Sequence, residues 1–117
     1  MADLNGKNIA IIATDGFEDS ELTSPKEAVE SAGATTKVIS TEGGEIEGKK
    51  GAKVAVNAKT AEASADEFDA LILPGGTVNA DTIRTDADAV ALVKAFKDAG
   101  KPIGVICHGG WILTEAD

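Results

Sequence analysis

Apolar and polar positions alternate along this chain in blocks, with strand-length apolar runs separated by segments of helical spacing. KNIAIIA (7–13) is continuously apolar and rich in β-branched residues, as expected of a central parallel strand buried on both faces. TSPKEAVESAGA (23–34) predicts a helix with Ser24 as N-cap, Pro25 at the first helical position, Glu27 completing a capping box and Gly33 as the stop. TKVIS (36–40) follows as a second strand. Residues 42–58 are rich in glycine and lysine and alternate at KVAVN, which predicts a hairpin or edge excursion rather than a βα unit. DALILPGG (69–76) predicts a third buried strand that ends at Pro74. DADAVALVKAFKDAG (86–100) predicts an amphipathic helix with Val90, Val93 and Phe96 on one face and Gly100 closing it. KPIGVIC (101–107) predicts a fourth buried strand.

This order gives an open, mostly parallel α/β sheet with right-handed crossovers and helices on both faces. Ligands of such sheets bind outside the carboxyl ends of the strands. The first strand ends at TDGFED, the third at PGG and the fourth at CHGG, so an acidic loop, a glycine pair and a Cys-His pair are delivered to one edge.

Composition narrows the possibilities. The 117 residues are 43% hydrophobic and 26% charged, as for one globular domain. A net charge of −9, from 20 acidic and 11 basic residues, repels phosphate backbones and anionic lipid. No nucleic acid or membrane partner is expected. The single cysteine cannot close an internal disulfide, and Cys107 with His108 is too few ligands for structural zinc. Asp15, Glu18, Asp19 and Glu21 lack calcium-loop spacing, so no metal is expected. The first residues carry no signal-peptide pattern, and a reducing cytoplasm is the expected compartment.

Established uses of the sheet edge can be tested directly. A dinucleotide fingerprint needs G-x-G-x-x-G, and only Gly16 follows the first strand. PGGTVNAD has neither the lysine nor the spacing of a P-loop, and the third strand offers no phosphoacceptor aspartate. What remains is strand, Cys107, a glycine-rich turn and WILTEA opening a helix. This pattern resembles a nucleophile elbow, in which the N–H after the nucleophile donates to an oxyanion and the helix N-terminus favours a thiolate. The motif alone leaves two readings open: an attacking sulfur, or an inert small hydrophobe at a strand end.

ATDGFEDSEL, LILPGGTVNAD and VICHGGWIL together resemble the PfpI family of intracellular cysteine peptidases and protein deglycases. The resemblance runs over essentially the whole chain. It implies a flavodoxin-like three-layer sandwich related to class I glutamine amidotransferases, with no cofactor. It implies that Cys107 is the nucleophile, that Glu18 hydrogen-bonds its sulfur, and that Gly75, Gly76 and His108 belong to a backbone oxyanion hole. His108 also matches the histidine of peptidase-like members, oriented by an acid from a neighbouring subunit whose counterpart here is Asp81. A homodimer or higher homo-oligomer is therefore expected. Bland readings stand beside these: Glu18 as a solvated acid near a helix start, the His108 ring as packing, and Asp81 as a helix N-terminal acid. Trp111 reads as the anchor of the elbow helix.

Gly110 departs from the proline or alanine of many relatives. Family members continue well past Asp117, so residues 1–117 are expected to be a single domain lacking its C-terminal helix and strands. One face of the sheet would otherwise be bare.

Lowering a thiol pKa from about 8.5 to about 5.5 raises the thiolate fraction near neutrality roughly 30-fold. The accompanying loss of intrinsic nucleophilicity is about 20-fold, so the two nearly cancel. An oxyanion donor, at roughly 3 kcal/mol, is the larger contribution. A carboxylate beside a thiolate should have its own pKa raised, so Glu18 is expected to be protonated and to donate to sulfur. The expected activity is a stress-defence cysteine hydrolase acting on glyoxal or methylglyoxal adducts. The alternatives are peptide hydrolysis, or a non-enzymatic redox sensor or holdase.

Overall fold

Strand β1 (Asn8–Ile12) is unbroken in its apolar character because it has a packed layer on each side. Ala10 and Ile12 point into one cluster, with Leu71, Leu73, Ile83, Leu92, Val93 and Phe96. Ile11 and Ala13 point into the other, with Phe17, Leu22, Val38 and Ile46. The computed structural model describes residues 4–105.

The remaining elements are α1 (Asp19–Ser31), β2 (Thr35–Ser40), β3 (Glu45–Glu47), β4 (Lys53–Ala55), β5 (Ala58–Lys59), β6 (Ala70–Leu73), α2 (Thr77–Ile83), α3 (Ala87–Asp98) and β7 (Ile103–Val105). The main sheet has the order β5-β2-β1-β6-β7, and every pairing in it is parallel. Apart from the two-residue β5, this is the flavodoxin-like order, which reverses between β1 and β6. The crevice outside the carboxyl ends of these two strands is the topological switch point. β3 and β4 form a separate antiparallel hairpin, as the alternation at KVAVN predicts. Among the described residues, no helix is long and apolar enough to cross a membrane.

Three expectations change. Helix α1 begins at Asp19 with Glu18 as N-cap, so Pro25 lies inside the helix and the Ser24–Glu27 capping box does not form. Packing overrides the local signal: Leu22 is fully buried in the cluster with Phe17, and the helix extends back to place it there. The predicted stop holds, with Gly33 at φ 105° just past the last turn. Second, α2 starts directly after PGG, which places Asp81 in its second half rather than at its N-terminus, and buries Ala80 and Ile83. Third, β7 pairs only with β6 among the described strands, and Gly104 and Val105 are exposed rather than buried on both faces.

Candidate active site

Pro74 has no N–H to continue the ladder, so β6 stops at Leu73 and the chain turns through Gly75 and Gly76. Gly76 has φ 99°, a conformation that a side chain disfavours. A Cβ there would also overlap the Gly16 carbonyl oxygen and the Glu18 amide nitrogen. The glycine loop is therefore pressed against the loop that follows β1. The Glu18 N–H donates to the Gly75 carbonyl at 3.1 Å, binding the two loops together at the switch point.

Each acid of the DGFEDSE stretch is held by a protein donor. Asp15 Oδ1 accepts from the Glu47 N–H at 2.9 Å. Asp19 accepts from the Lys50 N–H at 3.0 Å and the Ala52 N–H at 2.8 Å. Glu21 Oε1 accepts from the Gly75 N–H at 2.9 Å. With Gly16 N–H to the Glu47 carbonyl and Lys49 N–H to the Phe17 carbonyl, these bonds dock the β3–β4 hairpin on the acidic loop.

Glu18 makes no capping bond with its side chain. Its carboxylate is paired with Lys49 Nζ at 2.6 Å and Lys50 Nζ at 3.3 Å. The hydrogen bond from Lys49 is the leading cause that holds the Glu18 carboxyl below its ordinary range, against an opposing desolvation, with Lys50 adding to the downward push. Among the described residues this reverses the expected upward shift. That expectation considered only the sulfur, whereas the hairpin brings two ammonium groups to the same carboxylate.

The Gly75 N–H, expected among the oxyanion donors, is directed at Glu21 Oε1 in this structure. The Gly76 N–H has no acceptor among the described residues. Asp81 stands apart from this cluster: its side chain is 59% exposed on α2 and pairs with Arg84 Nη2 at 2.7 Å. Cys107, His108, Gly110 and Trp111 lie outside the described residues. Val105 is in register with Leu73, and in the sequence Cys107 stands as far past Val105 as Gly75 stands past Leu73.

Asn79 was not singled out by the sequence. It is fully buried; its Oδ1 accepts from the Thr14 N–H at 2.7 Å, and its Nδ2 donates to the Pro74 and Gly75 carbonyls at 3.1 and 3.0 Å. The available signal was a polar residue one helical turn before Ile83, on the face that also buries Ala80. Lys49 and Lys50 were missed because nothing local places a hairpin turn over Glu18.

A parallel sheet whose central strand β1 is covered on both faces, with an acidic loop and a glycine loop joined at the switch point, defines a doubly wound α/β protein whose site lies at the carboxyl edge. Residues 7–117 match the DJ-1/PfpI family, and the chain belongs to it. YraA of Bacillus subtilis, whose name marks it as a candidate cysteine protease, is 42% identical over 112 residues, covering 95% of this chain and 66% of that protein. Protein/nucleic acid deglycase 2 of Escherichia coli is 42% identical over 113 residues, covering 95% of this chain and 65% of that protein. The crystal structure of a ThiJ/PfpI domain protein from Brachyspira murdochii has a TM-score of 0.86 at 32% identity, covering 96% of this chain and 64% of that one. The chain thus spans just under two thirds of the length of these curated relatives.

Proposed function

We propose that this chain carries the nucleophile, acid and oxyanion parts of a cysteine-dependent hydrolase of the deglycase type, acting on glyoxal- or methylglyoxal-derived carbonyl adducts. The observation that carries the reading is the Glu18–Gly75 hydrogen bond, which fastens the acid loop to the glycine loop at the switch point. The similarity to a protein named as a deglycase supports the deglycase type, and the glyoxal-derived class rests on the motif resemblance.

In this reading the aminocarbinol RNH–CH(OH)–C(O)R′ gives back its amine, RNH2, and the aldehyde OHC–C(O)R′, and the Cys107 thiolate attacks that aldehyde carbon. A C–S bond forms, and the C=O π pair moves onto oxygen. The Gly76 and His108 N–H groups receive that oxyanion, the larger share of the rate. The hemithioacetal oxyanion takes up a proton, and a proton shift between the two adducted carbons through an enediol turns it into the thioester of a 2-hydroxy acid, with no net oxidation or reduction. Water then attacks the thioester carbon and releases the thiolate and the 2-hydroxy acid, leaving the amine repaired. Glu18 tunes the sulfur, with its own protonation set by competition between the lysines and the thiolate. Asp81, exposed on α2, is the acid proposed to orient the His108 ring of a second copy, which makes the working state a homo-oligomer.

Peptide hydrolysis is the second reading, favoured by the similarity to YraA. It shares the thiolate attack, the oxyanion and the final hydrolysis, but there the tetrahedral species collapses directly to a thioester by expelling the peptide nitrogen, which takes up a proton. The test compares the full-length protein with its Cys107→Ala variant on a methylglyoxal-modified peptide, an unmodified fluorogenic peptide and an aggregating client protein. Loss of adduct repair alone supports the deglycase, and loss of peptide cleavage supports the peptidase. Client protection that survives the substitution, without any Cys107-dependent turnover, sinks both.

A further inference from the structure

Resting on the proposed hydrolase reading, we infer that Asn79 is the positioning residue that aims the Gly76 N–H into the oxyanion site. The Gly75 carbonyl and the Gly76 N–H belong to one peptide unit. In a trans peptide they point in opposite directions, so the orientation of the oxygen sets that of the N–H. No cis peptide is present among the described residues.

The Gly75 oxygen is held from two sides, by the Glu18 N–H at 3.1 Å and by Asn79 Nδ2 at 3.0 Å. Two donors on one carbonyl also polarise the attached N–H and strengthen it as a donor. Without them the peptide between two glycines is unusually free to rotate, because neither flanking residue has a Cβ to restrict it. The grip on Asn79 is itself firm. Its amide oxygen takes the Thr14 N–H at the end of β1, and its second Nδ2 bond goes to Pro74 at the end of β6. The side chain spans both walls of the switch-point crevice and is fully buried.

Oxyanion geometry matters only where charge builds on a carbonyl oxygen. Alkylation of the same sulfur by iodoacetamide displaces iodide at a saturated carbon and develops no oxyanion. The two reactions therefore separate positioning of the donor from general damage to the site. In full-length Asn79→Ala protein, kcat for the Cys107-dependent reaction should fall roughly ten- to hundredfold, within what one oxyanion donor contributes. KM and the iodoacetamide rate should stay within about twofold of the parent.

Should Asn79→Ala lack the parent's near-ultraviolet circular dichroism, Asn79→Asp takes its place above neutral pH. Its carboxylate keeps the shape and can accept from Thr14, but it has no proton for Gly75, so the same split is expected. Equal loss of turnover and alkylation overturns the assignment, as does unchanged turnover. A parent protein without Cys107-dependent turnover fails at the earlier step, and takes both the hydrolase reading and the role of Asn79 with it.

Discussion

Lys49 Nζ sits 2.6 Å from Glu18 Oε2, so the acid expected to serve the sulfur is held by an ammonium group from the β3–β4 hairpin. Its carboxyl is kept below the ordinary range first by this hydrogen bond, and Lys50 contributes in the same direction. A depressed carboxyl pKa adds stability that is present above the unfolded value and lost as pH falls through the folded value. In Lys49→Ala the Glu18 pKa should rise toward its ordinary value while remaining partly held by Lys50. A carbon-13 titration of the Glu18 carboxyl reads this directly, and an unchanged midpoint would show that the pair does not form in solution.

Asp19 should act as a pH-dependent latch for the hairpin. The Lys50 N–H is the leading cause holding its carboxyl below the usual value, with the Ala52 N–H adding to it. The latch is complete above the unfolded aspartate value of about 3.9 and opens as pH falls through the lower folded value. Amide exchange at Lys50 and Ala52 should speed up over that acidic window, after correction for intrinsic rates. Asp19→Asn should show the faster exchange already at neutral pH at one of these two amides, because its oxygen can accept from one of them but its NH₂ group cannot accept from the other.

Gly76→Ala should be costly out of proportion to one methyl group. The residue combines φ 99° with contact against Gly16 and Glu18, so either the backbone or the neighbouring loop must move. A loss of about 1–3 kcal/mol is expected. Denaturant unfolding measures it, and a loss below the noise would mean that the loop accommodates the methyl freely.

Pro25→Ala should stabilise the protein. Pro25 lies inside α1 and cannot donate to the Glu21 carbonyl one turn earlier. Relief of an interior proline is worth up to about 3 kcal/mol, offset by about 1 kcal/mol from the freer unfolded chain. A rise in Tm is expected; a fall would show that α1 needs the proline's distortion to pack.

The apolar runs were legible because β1 and β6 lie in the middle of the parallel sheet, where β1 is buried on both faces and β6 is buried on one and partly covered on the other. The helix containing Pro25 was only half legible. Its glycine stop is a local backbone requirement, whereas its start depends on burying Leu22 against Phe17, a contact between neighbouring layers. Glu18, Gly75 and Gly76 could be placed at one edge from strand order alone, but their individual roles could not. Whether a glycine N–H is free or already bonded to Glu21, a residue 54 positions away, depends on how two loops meet.

By itself, then, the amino-acid order determines the alternation of strands and helices, the edge at which the chemistry gathers and the family to which the chain belongs. These follow from hydrophobic periodicity and short motifs, which are local in the chain. Tertiary structure alone decides that Lys49 and Lys50 cover Glu18, that Gly75 is occupied while Gly76 has no acceptor among the described residues, and that Asn79 joins the ends of β1 and β6. Each of these depends on hydrogen bonds and charges that act over a few ångströms in space between residues far apart in sequence.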